Sequence, residues 1–246
     1  MAGFVFALAS VLASSNPAYA VPAIQLDVSN GVYNNTTSTI DATTSMFTLY
    51  ALVDPTSHSI STTDTFDVVA ALVTAGAPNP VTVIGAYGSF TFDGTPVNVT
   101  SGMSGPGNPG LPSHGVYNTY YELFSFTLPA QYTPSYDTST NPGGPATTSS
   151  TYSHGDLQYD SFTVDVTGLS SSYAIWFDVY DADISHGNSG HYLSEPFSHA
   201  ALSGPGGGGG GGGSVPEPST LASHRFRPGW LGSVQKEVQK VVLSHT

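Results

Sequence analysis

The chain has 246 residues, no cysteine and a formal net charge of −13, with 17 acidic residues against four Lys and Arg. All four cations, Arg225, Arg227, Lys236 and Lys240, lie beyond residue 220, so residues 21–214 hold nothing that neutralises phosphate, and nucleic acid and anionic membranes are poor partners. The missing cysteine removes disulfides, thiolate metal sites and cysteine nucleophiles together, and the acidic excess makes the fold repel itself, a repulsion that divalent cations relieve.

In chain order, Phe4 to Leu12 is a short apolar stretch, and Ala18-Tyr19-Ala20 has the small-x-small form of a signal-peptidase site. Residues 1–20 are therefore expected to be a signal peptide, with Ala18 and Ala20 at the cleavage site, and the protein is expected to be exported. The stretch is too short to span a ~30 Å hydrocarbon layer, which takes about 20 apolar residues. No Lys or Arg precedes it, which leaves room for a start codon upstream of Met1.

Strands are expected nearly everywhere afterwards, and no helix. Ile24-Gln25-Leu26-Asp27-Val28 alternates apolar and polar as a half-buried strand does, and Phe162-Thr163-Val164-Asp165-Val166 repeats the pattern. Met46 to Val53, Phe66 to Val73, Val81 to Ile84, Tyr87 to Phe92, Pro96 to Thr100, Tyr121 to Leu128 and Tyr173 to Tyr180 are further candidates. Asp54-Pro55, Asn79-Pro80 and Thr167-Gly168 mark turns, and Asp93-Gly94 between Phe90-Thr91-Phe92 and Val97-Asn98-Val99 predicts a hairpin. Two long connections, Ser101 to Ser113 and Thr133 to Ser153, are of a length that is usually functional or mobile. Short strands with frequent turns predict one all-β domain over residues 21–203, a single antiparallel β-sandwich of jelly-roll-like or Ig/cohesin-like form.

Residues 204–214 are a Gly-rich linker containing eight consecutive glycines, Gly206 to Gly213. Behind it stands Val215-Pro216-Glu217-Pro218-Ser219-Thr220, a Pro-bracketed acidic turn on a flexible tether. This motif resembles the PEP-CTERM sorting signal of exported bacterial proteins. The resemblance implies processing by an exosortase-like membrane enzyme, delivery to the cell surface or extracellular matrix, and association with exopolysaccharide.

The tail, residues 221–246, departs from that pattern, because Ser223-His224-Arg225-Phe226-Arg227-Pro228 stands where an apolar span is expected, and such a segment does not insert into lipid. Gln235-Lys236-Glu237 is encoded CAR-AAR-GAR, and advancing one nucleotide gives ARA-ARG-ARG, a forced run of Lys or Arg. A frameshift after Ala222 would thus restore an apolar segment closed by a basic cluster. As written, the tail offers at most a short amphipathic helix through Leu231, Val234, Val238, Val241 and Val242.

A second resemblance lies in the body. Leu111-Pro112-Ser113-His114-Gly115-Val116-Tyr117-Asn118-Thr119-Tyr120-Tyr121-Glu122-Leu123-Phe124-Ser125-Phe126 is similar to the central signature of the choice-of-anchor N family. Phe47-Thr48-Leu49-Tyr50-Ala51-Leu52, Gly88-Ser89-Phe90-Thr91-Phe92-Asp93-Gly94 and Glu195-Pro196-Phe197-Ser198-His199 fall in similar places. The likeness covers most of residues 24–202 and implies a surface domain with no established activity.

Chemical sites are weak. Asp178, Asp181 and Asp183 gather oxygen ligands at a strand end and are the candidate Ca²⁺ set, although His186 and Tyr192 stand where an EF-hand needs Gly and Glu. Ser-His-Gly recurs at Ser113, Ser153 and Ser185, and His154, Asp156, His186 and His191 would ligate zinc if their loops converged. Glu122 and Glu195 are the only glutamates of the body, a thin basis for a glycoside hydrolase, and no Gly-x-Ser-x-Gly elbow is present. Among 14 tyrosines, Tyr117, Tyr120 and Tyr121 cluster beside the Gly-Pro loop, where they suit either sugar rings or sandwich packing. The expectation is a structural or adhesive surface protein and not an enzyme, with a carbohydrate-binding module as the alternative and hydrolysis a remote third.

Overall fold

The computed structural model describes residues 21–57, 61, 63–111, 116–182 and 199–204. The signal-cleavage residues Ala18 and Ala20, the motif Val215 to Thr220, Asp183, His186, His191, Glu195 and the tail lie outside the described residues. Among the described residues, thirteen strands form two sheets: β1 (Ile24–Val28), β2 (Val32–Asn34), β3 (Thr39–Asp41), β4 (Met46–Val53), β5 (Phe66–Thr74), β6 (Ser89–Phe92), β7 (Thr95–Asn98), β8 (Ser104–Gly107), β9 (Thr119–Phe126), β10 (Tyr132–Pro134), β11 (Asp156–Asp165), β12 (Tyr173–Asp181) and β13 (Ala200–Leu202).

Sheet A runs β1-β4-β11-β6-β7, and sheet B runs β2-β3-β13-β12-β5-β9-β8. The free edge of β11 is shared, with β10 pairing at Asp156 to Gln158 and β6 at Val164 and Asp165. Every pairing is antiparallel except β13 on β3. The all-β sandwich expected from the sequence is the fold found. Among the described residues no helix is long and apolar enough to cross a membrane.

Alternate residues of the long strands meet between the sheets. Leu26, Leu49, Phe47, Phe162 and Val164 of sheet A face Val68, Ala70, Ile175, Phe177 and Val179 of sheet B in one core. Phe92 stacks on Phe124 of the opposite sheet, with centroids 4.0 Å apart at 11°, and on Phe162 at 5.0 Å. Phe47 meets Phe177 edge-on at 6.2 Å.

The β6–β7 hairpin closes through Asp93 and Gly94 at φ 46° and 77°, the paired positive angles that such a two-residue turn demands. The edge strands β7 and β8 carry Pro96 and Pro106, which lack the N–H that another strand would use.

The run Val81 to Ile84 is not a strand. Val81 is buried, but its amide is taken by the Thr119 hydroxyl at 3.0 Å, and Val83 and Ile84 project into water. Pro80 makes only an isolated bridge to Val73, and the pairing does not continue into the run.

Candidate functional site

The alternation in β1 places Ile24, Leu26 and Val28 in the inter-sheet core and Gln25 and Asp27 on the outer face of sheet A, where water is expected. Both polar residues are instead fully buried, because part of the long connection between β10 and β11 lies over them. The Asp27 carboxylate accepts hydrogen bonds from the amides of Val28 (2.7 Å), Gly143 (3.0 Å) and Gly144 (2.9 Å) and from the Tyr136 hydroxyl (2.9 Å). Gln25 donates to the Tyr136 carbonyl at 2.8 Å and accepts from the Thr138 amide at 3.1 Å.

Gly144 sits at φ +92°, and a Cβ there would lie 2.7 Å from the Tyr50 ring, so the close approach requires glycine. Beneath it Leu52, Leu157 and Tyr159 form a small second core with Tyr50, Tyr136 and Val21. A connection of this length thus serves as a cover for the sheet.

Asp137 extends the network. Its Oδ1 accepts from the Ser139 amide (2.9 Å) and hydroxyl (2.6 Å) and lies 3.0 Å from His199 Nε2, which ties the connection to the segment entering β13. Ser, His and Asp are the residue types of a hydrolytic triad, but here the serine hydroxyl donates to the carboxylate rather than to the imidazole, so this geometry gives no activated nucleophile.

Burial sets the titration of these groups. It pushes Asp27 above the ordinary carboxylate range despite its four donors, and it pushes Asp41 up despite the hydroxyl of Thr39 and the amide of Asn34. Asp160 rises through burial and the charge of Asp93, and the Tyr136 phenol rises through burial and the charge of Asp27. Burial also pushes Asp137 up, but the Ser139 and His199 contacts together outweigh it and hold this carboxyl below its usual value.

The raised groups bind protons more readily folded than unfolded. Their contribution to stability is present below the unfolded value of 3.8 and is lost as pH rises through their folded values. Asp137 works the other way: its contribution is present above 3.8 and is withdrawn only as pH falls through its lower folded value. Acidification from neutrality toward pH 3.8 is therefore expected to raise the melting temperature. Thermal unfolding followed by circular dichroism checks this, and a melting temperature that falls over that interval contradicts it.

The outer face of sheet B is organised in the same way. Asp178 accepts from the Trp176 indole at 2.7 Å and from the Tyr117 hydroxyl, and Asp67 accepts from the Tyr180 hydroxyl at 2.9 Å and from the Ser125 hydroxyl. Leu111, Val116 and Tyr117 of the β8–β9 connection pack over this face.

These contacts decide where the sequence-predicted residues stand. Tyr120 is buried in the inter-sheet core, whereas its neighbour Tyr121 packs on the outer face of sheet B with Tyr117. The three do not form a single platform, and Tyr117 is committed to Asp178.

Asp178 and Asp181 occupy opposite strand parities on β12, the first with Trp176 on the outer face and the second on the parity of Phe177 and Val179, so they do not converge. Among the described residues no group of three His, Cys, Asp or Glu side chains is placed to hold a metal ion. Glu122 stands on the core-side parity of β9 between Tyr120 and Phe124, and burial raises its carboxyl.

No family model, curated protein or solved structure matches the chain.

One aromatic pair escaped the sequence reading. Tyr132 and Tyr152 meet edge-on at 5.5 Å, and Tyr152 is 41% exposed. The bridge between Tyr132 and Ser149 brings them together, a pairing that no local periodicity announces. The carboxylates, the most conspicuous feature of the composition, act here as hydrogen-bond hubs: in a domain with no cysteine and no cation, they hold long connections onto both outer faces.

Proposed function

We propose that this chain is an exported protein of the cell surface or extracellular matrix, sorted by a PEP-CTERM-like signal and processed by an exosortase-like membrane enzyme. Its role is structural or adhesive and is exercised in association with exopolysaccharide. The single observation that carries the reading is Val215-Pro216-Glu217-Pro218-Ser219-Thr220 directly behind eight glycines and a folded body. The small-x-small site at Ala18 to Ala20 supports the same destination. The use of Asp27, Asp137 and Asp178 to fasten loops also supports an architectural role, since these are the side chains a hydrolase would need free.

Intact mass spectrometry of the protein recovered from its native host tests the proposal. The expected mature form begins near Val21 and ends near the motif. A form that retains both Met1 and Thr246 rejects export and sorting together.

A further inference from the structure

At one end of the sandwich three connections close over the core: residues 75–88, 99–103 and 166–172. They are bonded to one another, Ala75 N–H to the Ser172 carbonyl and Ser170 N–H to the Tyr87 carbonyl at 2.9 Å each, and Val99 N–H to the Gly88 carbonyl at 3.0 Å. The rings of Tyr87 and Tyr173 lie 4.4 Å apart across them.

On this platform Val83 and Ile84 are 66% and 69% exposed, two adjacent large aliphatic side chains in water. The loop is pinned on both sides of them. Thr119 holds Val81 at 3.0 Å, the Tyr87 hydroxyl donates to the Val83 carbonyl at 3.1 Å, and the Thr100 hydroxyl donates to the Gly85 carbonyl at 2.9 Å. Met46, 61% exposed, starts β4 at the same end, opposite Asp165. Two adjacent exposed aliphatics held on a fixed frame suit an interaction site.

The charge distribution points to the occupant. The segments 68–92, 94–121 and 166–177 contain no Asp, Glu, Lys or Arg, although the chain carries a net −13. Among the described residues, Asp165 is the carboxylate at the surface rim of this end, while Asp41 is buried against Thr39 and Asn34. This end can approach a low-dielectric surface with little charge to desolvate.

The last described residues also lie at this end. The Ser203 amide donates to the Ile175 carbonyl at 2.9 Å and its hydroxyl accepts from the Ile175 amide at 2.8 Å, so Gly204 lies beside the start of β12.

We propose that this end is a lipid-contact surface that rests on a bilayer of net-neutral, zwitterionic headgroups, with Val83 and Ile84 inserted at the headgroup–acyl boundary. Anionic lipid is disfavoured for the body because it holds no cation to meet the headgroups.

Flotation of the full chain with phosphatidylcholine vesicles tests this, because the zwitterionic surface does not recruit the basic residues of the tail. The wild-type chain is expected to float with the vesicles, and the Val83→Asp, Ile84→Asp double variant to lose about tenfold or more of its bound fraction. Ile84→Trp is expected to bind more tightly, since indole favours the interface. Unchanged melting temperatures verify that the variants remain folded.

Absence of wild-type binding overturns the proposal, as does equal binding of wild type and double variant. A wild-type dimer that the double substitution dissociates, without vesicle binding, assigns the surface to a second copy and equally overturns it. The assay uses purified protein and is indifferent to cellular destination, so its failure and the failure of the sorting reading are separate results.

Discussion

Phe92→Ala is expected to lower the unfolding free energy by about 3–5 kcal/mol, the cost of truncating a buried aromatic and leaving a cavity. Phe92 is 3% exposed and belongs to the short strand β6, yet it joins both sheets. It stacks on Phe124 at 4.0 Å and on Phe162 at 5.0 Å, and lies 6.4 Å from Phe177. Each aromatic pair adds about 0.5–1.5 kcal/mol beyond the area buried. A domain whose total stability is on the order of 5–15 kcal/mol is brought near its threshold by such a loss. Urea denaturation reads the effect as a lower midpoint at unchanged slope, with Phe92→Leu retaining most of the stability. A loss below about 1 kcal/mol would mean that the sheets are not held together through this ring.

Asp27→Ala is expected to cost about 2–4 kcal/mol, through a different mechanism. The alanine leaves the amides of Gly143 and Gly144 and the Tyr136 hydroxyl without their acceptor in a buried site, and each stranded donor costs about 1–3 kcal/mol before relaxation. Asp27→Asn keeps one acceptor oxygen but turns an N–H₂ toward donors, so it is expected to recover only part of the loss.

The effect is local in origin. Hydrogen exchange should show residues 136–144 losing protection before the ladder between β5 and β12 does. Simultaneous loss in both places would contradict the view of this connection as a separately fastened cover.

The long strands were legible because their patterns are local. β1 and β4 have the bounds expected of them, Ile24–Val28 and Met46–Val53, and Asp93-Gly94 located the β6–β7 hairpin. β2, β3, β10 and β13 are three residues each, and they exist because distant partners complete them, as when β13 pairs in parallel with β3. Such pairing leaves no periodic trace. β8, Ser-Gly-Pro-Gly, reads as a loop by composition, and the N-terminal half of β11 was hidden by polar residues.

The candidate sites misled for a related reason. Gln25 and Asp27 look solvent-facing because alternation reports which face a side chain takes, not what covers that face. The separation of Tyr120 from Tyr121, and of Asp178 from Asp181, was within reach: an odd spacing on a strand sends side chains to opposite faces.

The two ends of the described chain also set how the domain carries load. β1 enters at the end where Ile24 pairs with Val53, while β13 leaves at the opposite end beside Ile175. Tension applied between them runs lengthwise along β1 against β4 and along β13 against β12 and β3. These ladders are loaded in shear, so their hydrogen bonds must yield together instead of unzipping singly.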